Sequence, residues 1–256
     1  MKPLVPCSGA ALSPSGTFEA LPATTVQQVL RQWFKQWGRP QQIQFDHGQP
    51  WRSGKSDLPS LFELWLIGLE VEVLWSRPRH PQDNGKVERS HRVTQAWSAP
   101  GDCRTLEQLQ HHLDQVVQIH RQHYPDRHGL TRLARYPQLQ QPGRAYDSAA
   151  EDHSWSLARV HAHLAQGCWR RKVDASGRIS LYNRNYTLHR RLKGQTLWVR
   201  FDPTTSSWTC WDDKGKQVAT CPSLEINAEG IRQLEVHRSA AKHTQPSTKA
   251  DVAPLS

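Results

Sequence analysis

The chain has 256 residues and a formal net charge of +10, with 33 Lys and Arg against 23 Asp and Glu. That length is enough for one large or two modest domains with their own cores, and the surplus of cations points to an acidic partner, nucleic acid being the usual one, over a basic surface that serves only solubility. No apolar run approaches the ~18 residues of a membrane span, and the opening MKPLVPCSGAALSPSG lacks the apolar core of a signal peptide.

Taken in chain order, residues 4–20 read as two short strands, AAL and TFEAL, around the turn SPSG. Thr24 or Thr25 is placed to cap a helix over TVQQVLRQWFKQW, where Val26, Val29, Leu30, Trp33, Phe34 and Trp37 recur at helical spacing. Gly38 ends it and Pro40 prevents its resumption. QQIQF is a strand that delivers Asp46 at its carboxyl end. LPSLFELWLIGL follows as an apolar helix capped by Asp57, and VEVLW as another strand, with Glu70 and Glu72 solvated at its edge. After a Pro-rich turn comes a helix from about Gly85 to Trp97, capped by Asp83 or Asn84. This strand–helix–strand–helix rhythm implies an α/β layer with a partly parallel sheet.

A further helix over Leu106–Tyr124 carries Leu109, Leu113, Val116 and Val117 on one face. Its His111, His112, His120 and His123 read as residues of an exposed polar face, although the His120/His123 spacing also suits a metal. Residues 125–154 are weakly patterned and rich in Pro, Gly and Arg, the composition of a linker. From Cys168 onward the signal is all β: a hairpin around ASG in WRRKVDASGRISLYNRNYTL, then turns at DPTTSS and at DDKG, the latter capped by Asp212 and Asp213. Four or five such strands are expected to make a small barrel. The implied division is a core over 1–124, a linker over 125–154, a basic β-barrel over 155–238 and a disordered tail over 239–256. The five cysteines (Cys7, Cys103, Cys168, Cys210, Cys221) share no C-x-x-C spacing, which argues for reduced thiols in a cytosolic compartment and against a zinc site.

The charge is concentrated. Between Trp155 and Asp202 ten Lys and Arg face only Asp174 and Asp202. Arg170, Arg171, Lys172, Arg184, Arg190, Arg191 and Lys193 there interleave with Trp169, Tyr182, Tyr186 and Trp198, a pattern of phosphate-binding cations and aromatic platforms. Trp198, Trp208 and Trp211 read equally as barrel core. A second basic stretch, SRPRHPQDNGKVERSH at 76–91, sets the single carboxylate of Glu88 among Arg77, Arg79, Lys86, Arg89 and the nearby Arg92. Asp46 ends a strand and Glu88 opens a helix, positions that converge at the carboxyl edge of an α/β sheet. Two carboxylates so close repel unless a cation lies between them, and their hard oxygens suit Mg²⁺ or Mn²⁺. A lone glutamate among cations is also an ordinary surface ion-pair partner.

The stretches FDHGQPW and LWLIGLEVEVLWSRPRHPQDNGKVERSH resemble the core of the DDE transposase and retroviral-type integrase family, in the form found in bacterial insertion-sequence transposases. The resemblance implies an RNase H-like mixed sheet flanked by helices, followed by a small SH3-like β-barrel. It assigns Asp46 and Glu88 as the second and third metal-binding, catalytic acids, with Mg²⁺ or Mn²⁺ as cofactor. Arg77, Arg79, Asn84, Lys86, Arg89 and Arg92, with the barrel cations, would touch DNA. The implied partners are transposon ends and target DNA and further copies of the chain; the implied location is the bacterial cytoplasm, at the nucleoid. Two departures stand out. The family's first aspartate falls where this chain has Pro6 or Cys7, and His47 replaces the family's Asn after Asp46. The chain therefore reads as the later part of a transposase, truncated at its start: an active recombinase if the missing acid is supplied, or a DNA-binding remnant that cuts nothing. An RNase H-type nuclease that does not recombine is a third reading.

Overall fold

The computed structural model describes residues 22–46, 57–77, 80, 85–126, 128–137 and 143–235, and only the backbone of 86, 87, 89–91 and 106. The two strands expected within residues 4–20, and the tail over 239–256, lie outside the described residues.

Helix α1 (Ala23–Trp37) begins directly after Pro22 with no side-chain cap, so neither threonine serves as one. It buries Val26, Leu30 and Phe34, a stripe repeating at helical spacing. Gly38 ends it at φ 79, and a Cβ there would also strike the backbone of Gly143. Strands β1 (Gln42–Phe45) and β2 (Glu72–Trp75) pair in parallel, Ile43 opposite Val73 and Phe45 opposite Trp75. Between them runs α2 (Leu61–Gly68), apolar nearly all round, and accordingly Leu64, Trp65 and Leu66 are fully buried. Its cap is not Asp57, as expected, but Ser60, whose Oγ accepts from the Glu63 N–H at 3.1 Å. Helices α3 (Gly85–Ser98) and α4 (Leu106–Gln122) pack on each other, and short α5 (Arg132–Arg135) follows.

From residue 143 the chain runs back across α1 and α2. Arg39 N–H bonds Arg144 O at 2.7 Å, and the Arg144 guanidinium donates to the carbonyls of Pro40 and Glu70 and to the Glu70 carboxylate. The stretch expected as a linker thus carries fixed contacts. It includes α6 (Glu151–Ser154), whose Glu151 is buried. Trp155 then seats on Gly68, where an added Cβ would lie 2.1 Å from the indole nitrogen.

Helix α7 (Leu157–Leu164) precedes β3 (Trp169–Lys172), β4 (Arg178–Leu181), β5 (Arg184–Thr187), β6 (Thr196–Asp202), β7 (Ser207–Trp211), β8 (Gln217–Pro222) and α8 (Ala228–Gln233). Four strands form an antiparallel sheet in the order β3-β6-β7-β8, and β4-β5 form a separate hairpin. The protein is thus mixed α/β with three sheets among the described residues, none closed into a barrel, which corrects the expected closure. The ASG hairpin is corrected too: Asp174 N–H closes that turn on Arg178 O at 2.8 Å, but β3 leaves to pair with β6. The real hairpin turns at Tyr182–Asn183, both at positive φ, which matches strand twist in a two-residue turn. The turns at DPTTSS and DDKG join antiparallel neighbours as expected. Asp212 caps the second by accepting the N–H groups of Lys214 and Lys216. Helices α7 and α8 went unread in the sequence.

One apolar core runs from Val26 through Trp65 to Trp208 and Ile231. Trp208, fully buried, meets Trp169, Tyr182 and Phe201. Buried Glu225 accepts from Trp208 Nε1 at 2.7 Å and from the Tyr186 hydroxyl, so its desolvated carboxylate is hydrogen-bonded.

Candidate nucleic-acid interface

The segment TLWVRFD of β6 alternates strictly. Leu197, Val199 and Phe201 point inward, where α7 packs and the His161 ring lies 5.0 Å from Phe201. Thr196, Trp198 and Arg200 point outward. Register extends that outer face across three strands. Arg170 of β3 and Trp211 of β7 both stand opposite Trp198, Lys172 stands opposite Thr196, and Thr209 opposite Arg200. The Arg170 guanidinium lies over the Trp198 ring at 5.3 Å from its centroid, an attractive cation–π placement. Trp198 is 41% exposed. Trp211 is half-buried and donates its indole N–H to Thr209 Oγ1 at 3.0 Å. Beside this face, the turn Arg190–Leu192 is pinned inward by Leu192. Gly194 N–H to Val173 O then ties the turn to the end of β3, so that Arg190, Arg191 and Lys193 extend the basic edge.

The cations named from the sequence divide by partner. Arg170, Lys172, Arg190, Arg191 and Lys193 are exposed and, with half-buried Arg184, form no ion pair with a described residue. Arg171 is different: its guanidinium grips the Asp57 carboxylate at 2.7 and 3.2 Å and is largely covered. It is a structural brace between the N-terminal half and the sheet. Of the two carboxylates in this region, Asp174 is paired to Arg178, and Asp202 is tied into its own turn by Thr204 and Thr205, which hold it below its ordinary range. Neither neutralises the outer face.

Of the four expected aromatic platforms Trp198 is exposed, and the other three are not. Trp169 and Tyr186 are buried, and Tyr182 packs on Trp208. Trp211, read as core, borders the open face. Arg200 was counted in the charge but not named as a contact; its alternation with Trp198 in TLWVRFD was the signal that would have found it. Cys210 is buried and its thiol is pushed up to about 12 by burial, so it is no nucleophile. The four described cysteines are free.

The carboxylates expected to hold metal are placed as follows. Asp46 leaves the carboxyl end of β1, beside Ser76, whose N–H bonds Phe45 O at 2.8 Å, and Arg77 follows at the end of β2. Both side chains are exposed. Glu88 lies exposed in the first turn of α3, and Arg92 is exposed one turn further on. Arg79 and Asn84 fall outside the described residues, and Lys86 and Arg89 are described only as backbone of α3. Among the described residues no group of three or more His, Cys, Asp or Glu is gathered to hold a metal ion.

The α4 histidines divide. His120, expected on the polar face, is buried; it stacks on Tyr124 at 5.2 Å and meets Trp97 at 5.1 Å. Burial and then nearby Arg132 lower its pKa, so it is a packing residue. His111 is exposed and bonded to Gln115. Among the described residues no helix is long and apolar enough to cross a membrane. Compared with models of known protein families, the chain matches none.

Proposed function

We propose that this chain binds DNA through the basic unit of residues 155–235. The carrying observation is the set of exposed cations without described carboxylate partners, gathered on one sheet face and its adjoining turn. Such charges, held on strands and short turns, displace counterions from a phosphate backbone with little reordering. The resemblance to DDE transposases gives the reading its setting: an RNase H-like half built on β1, β2 and the flanking helices, an SH3-like arrangement in the second half, transposon-end or target DNA as ligand, and assembly of several copies on it. DNA binding ranks ahead of strand cutting. Cutting with Mg²⁺ or Mn²⁺ at Asp46 and Glu88 requires a further donor outside the described residues. Its support is the position of Asp46 at the carboxyl edge of a parallel strand pair.

The test is a titration of the full chain against a duplex over a range of salt. The logarithm of the binding constant should fall linearly with log salt, by about 0.9 per phosphate neutralised. Charge reversal at Lys172 and Lys193 should flatten the slope by roughly two units on the same rule. Salt-independent binding would defeat the proposal. Mn²⁺-dependent nicking of an end-containing duplex, lost in Asp46→Ala and Glu88→Ala, would raise cutting above binding alone.

A further inference from the structure

The outer face of the four-stranded sheet has a feature that backbone phosphates do not require. A duplex offers phosphates and groove edges to cations and hydrogen-bond donors, but its base faces are covered by stacking. Here two indoles stand directly opposite each other across β6 and β7, at the centre of the face rather than in the core. Arg170 sits over the ring of Trp198 on one side, and Lys172 and Arg200 flank the row one residue pair away along the strands. Two residues along a strand advance about 6–7 Å, so a stacking ring and a phosphate-binding cation alternate within one nucleotide's reach. The opposite face is filled by α7; on the outer face Trp198 is 41% exposed beside Arg170 and Trp211 is half-buried. Leaving Trp198 open costs apolar burial, while the neighbouring strand positions on the other face are closed.

We infer that this face binds unpaired DNA, with bases stacked on Trp198 and Trp211 and backbone phosphates held by Arg170, Lys172 and Arg200. The inference rests on the DNA-binding proposal and names the form of DNA that this face prefers. Positive charge matches a polyanion, and flat rings match exposed base faces without sequence preference.

The test uses the full chain with a labelled oligothymidine strand, a duplex of equal length and an RNA strand of the same sequence type, all at one moderate salt concentration. The single strand of DNA should bind tighter than the duplex. Trp198→Ala should weaken it about tenfold, in line with loss of one stacked base, and should weaken duplex binding by a smaller factor, since most phosphate contacts remain. Trp198→Phe, which keeps a ring, should recover most of the loss, and an unchanged melting temperature shows that each variant is folded. If duplex binds with the expected salt dependence but Trp198→Ala leaves single-strand affinity unchanged, the stacking inference fails and the DNA proposal stands. If neither form of DNA binds, the DNA proposal itself fails. Tighter binding of the RNA strand overturns the choice of DNA.

Discussion

Replacing Glu151 by alanine probes whether the two halves of the chain are one cooperative unit. Its carboxylate accepts from Arg31 Nε at 2.9 Å, Arg31 Nη2 at 2.8 Å, Trp65 Nε1 at 3.1 Å and the Tyr146 hydroxyl. The residue is 5% exposed. Breaking a buried pair by removing one partner costs about 3–5 kcal/mol, because the remaining charge is left uncompensated. Arg31 keeps bonds to Gln27 Oε1 and Arg232 O, and its side chain is 28% exposed, so the lower end applies. A loss of about 3 kcal/mol corresponds to roughly 6–12 °C in melting temperature for a domain of this size. Scanning calorimetry of the full chain should show one transition, lowered by that amount. The Glu151→Gln variant, which keeps an acceptor and the shape, should lose about half as much. Burial alone would raise the Glu151 pKa, but the bonds from Arg31, Tyr146 and Trp65 outweigh it and hold the carboxyl below its usual range. Its stabilisation is therefore full above the unfolded value near 4.3 and is lost as pH falls through the lower folded value. Glu151→Gln should remove that share of the acid sensitivity. A shift below about 2 °C, or two transitions of which only one moves, would refute a single unit braced at Glu151.

Further outcomes follow from particular contacts. Arg171→Ala should leave the salt slope of DNA binding nearly unchanged and lower stability by about 0.5–1 kcal/mol, because Asp57 already holds that guanidinium; Lys172→Ala should flatten the slope by about 0.9, and equal slope changes in the two would contradict this sorting. Gly68→Ala should destabilise by about 1–3 kcal/mol through overpacking, since its Cβ would enter the Trp155 indole; urea melts measure it, and a neutral result would mean that Trp155 is not seated there. His120 has a folded pKa lowered chiefly by burial, so its contribution is full above the unfolded value near 6.5 and declines as pH falls below it. His120→Phe should therefore reduce the loss of melting temperature between neutral and mildly acidic pH; an identical pH profile in both proteins would argue against burial of that ring.

Much of this protein was legible before folding. Periodicity placed α1 and α4, each of which buries a stripe that repeats along the chain, and a nearly continuous apolar run placed α2; α3 was read from the Pro-rich turn and the cap candidates before it. The excess of cations between Trp155 and Asp202 is a compositional fact, and it marks the same region that carries the open basic face. The turns at DPTTSS and DDKG were readable from residues that favour tight turns.

What tertiary structure decided is which like residues share a role. Arg170 and Arg171 are neighbours in sequence with the same charge. Pleating sends one outward over Trp198 and the other to Asp57, a residue from the opposite half of the chain. Trp208 and Trp211 lie on one strand and look interchangeable. Only the register with β6 and the packing of α7 bury the first and leave the second bordering an open face. Partners far apart in sequence, such as Arg31 with Glu151 or Trp155 with Gly68, leave no local signature, because the chain must close a long loop before they meet. Sequence therefore determined the local elements and the amount of charge, while long-range register and packing decided which charges and rings remain available to a ligand.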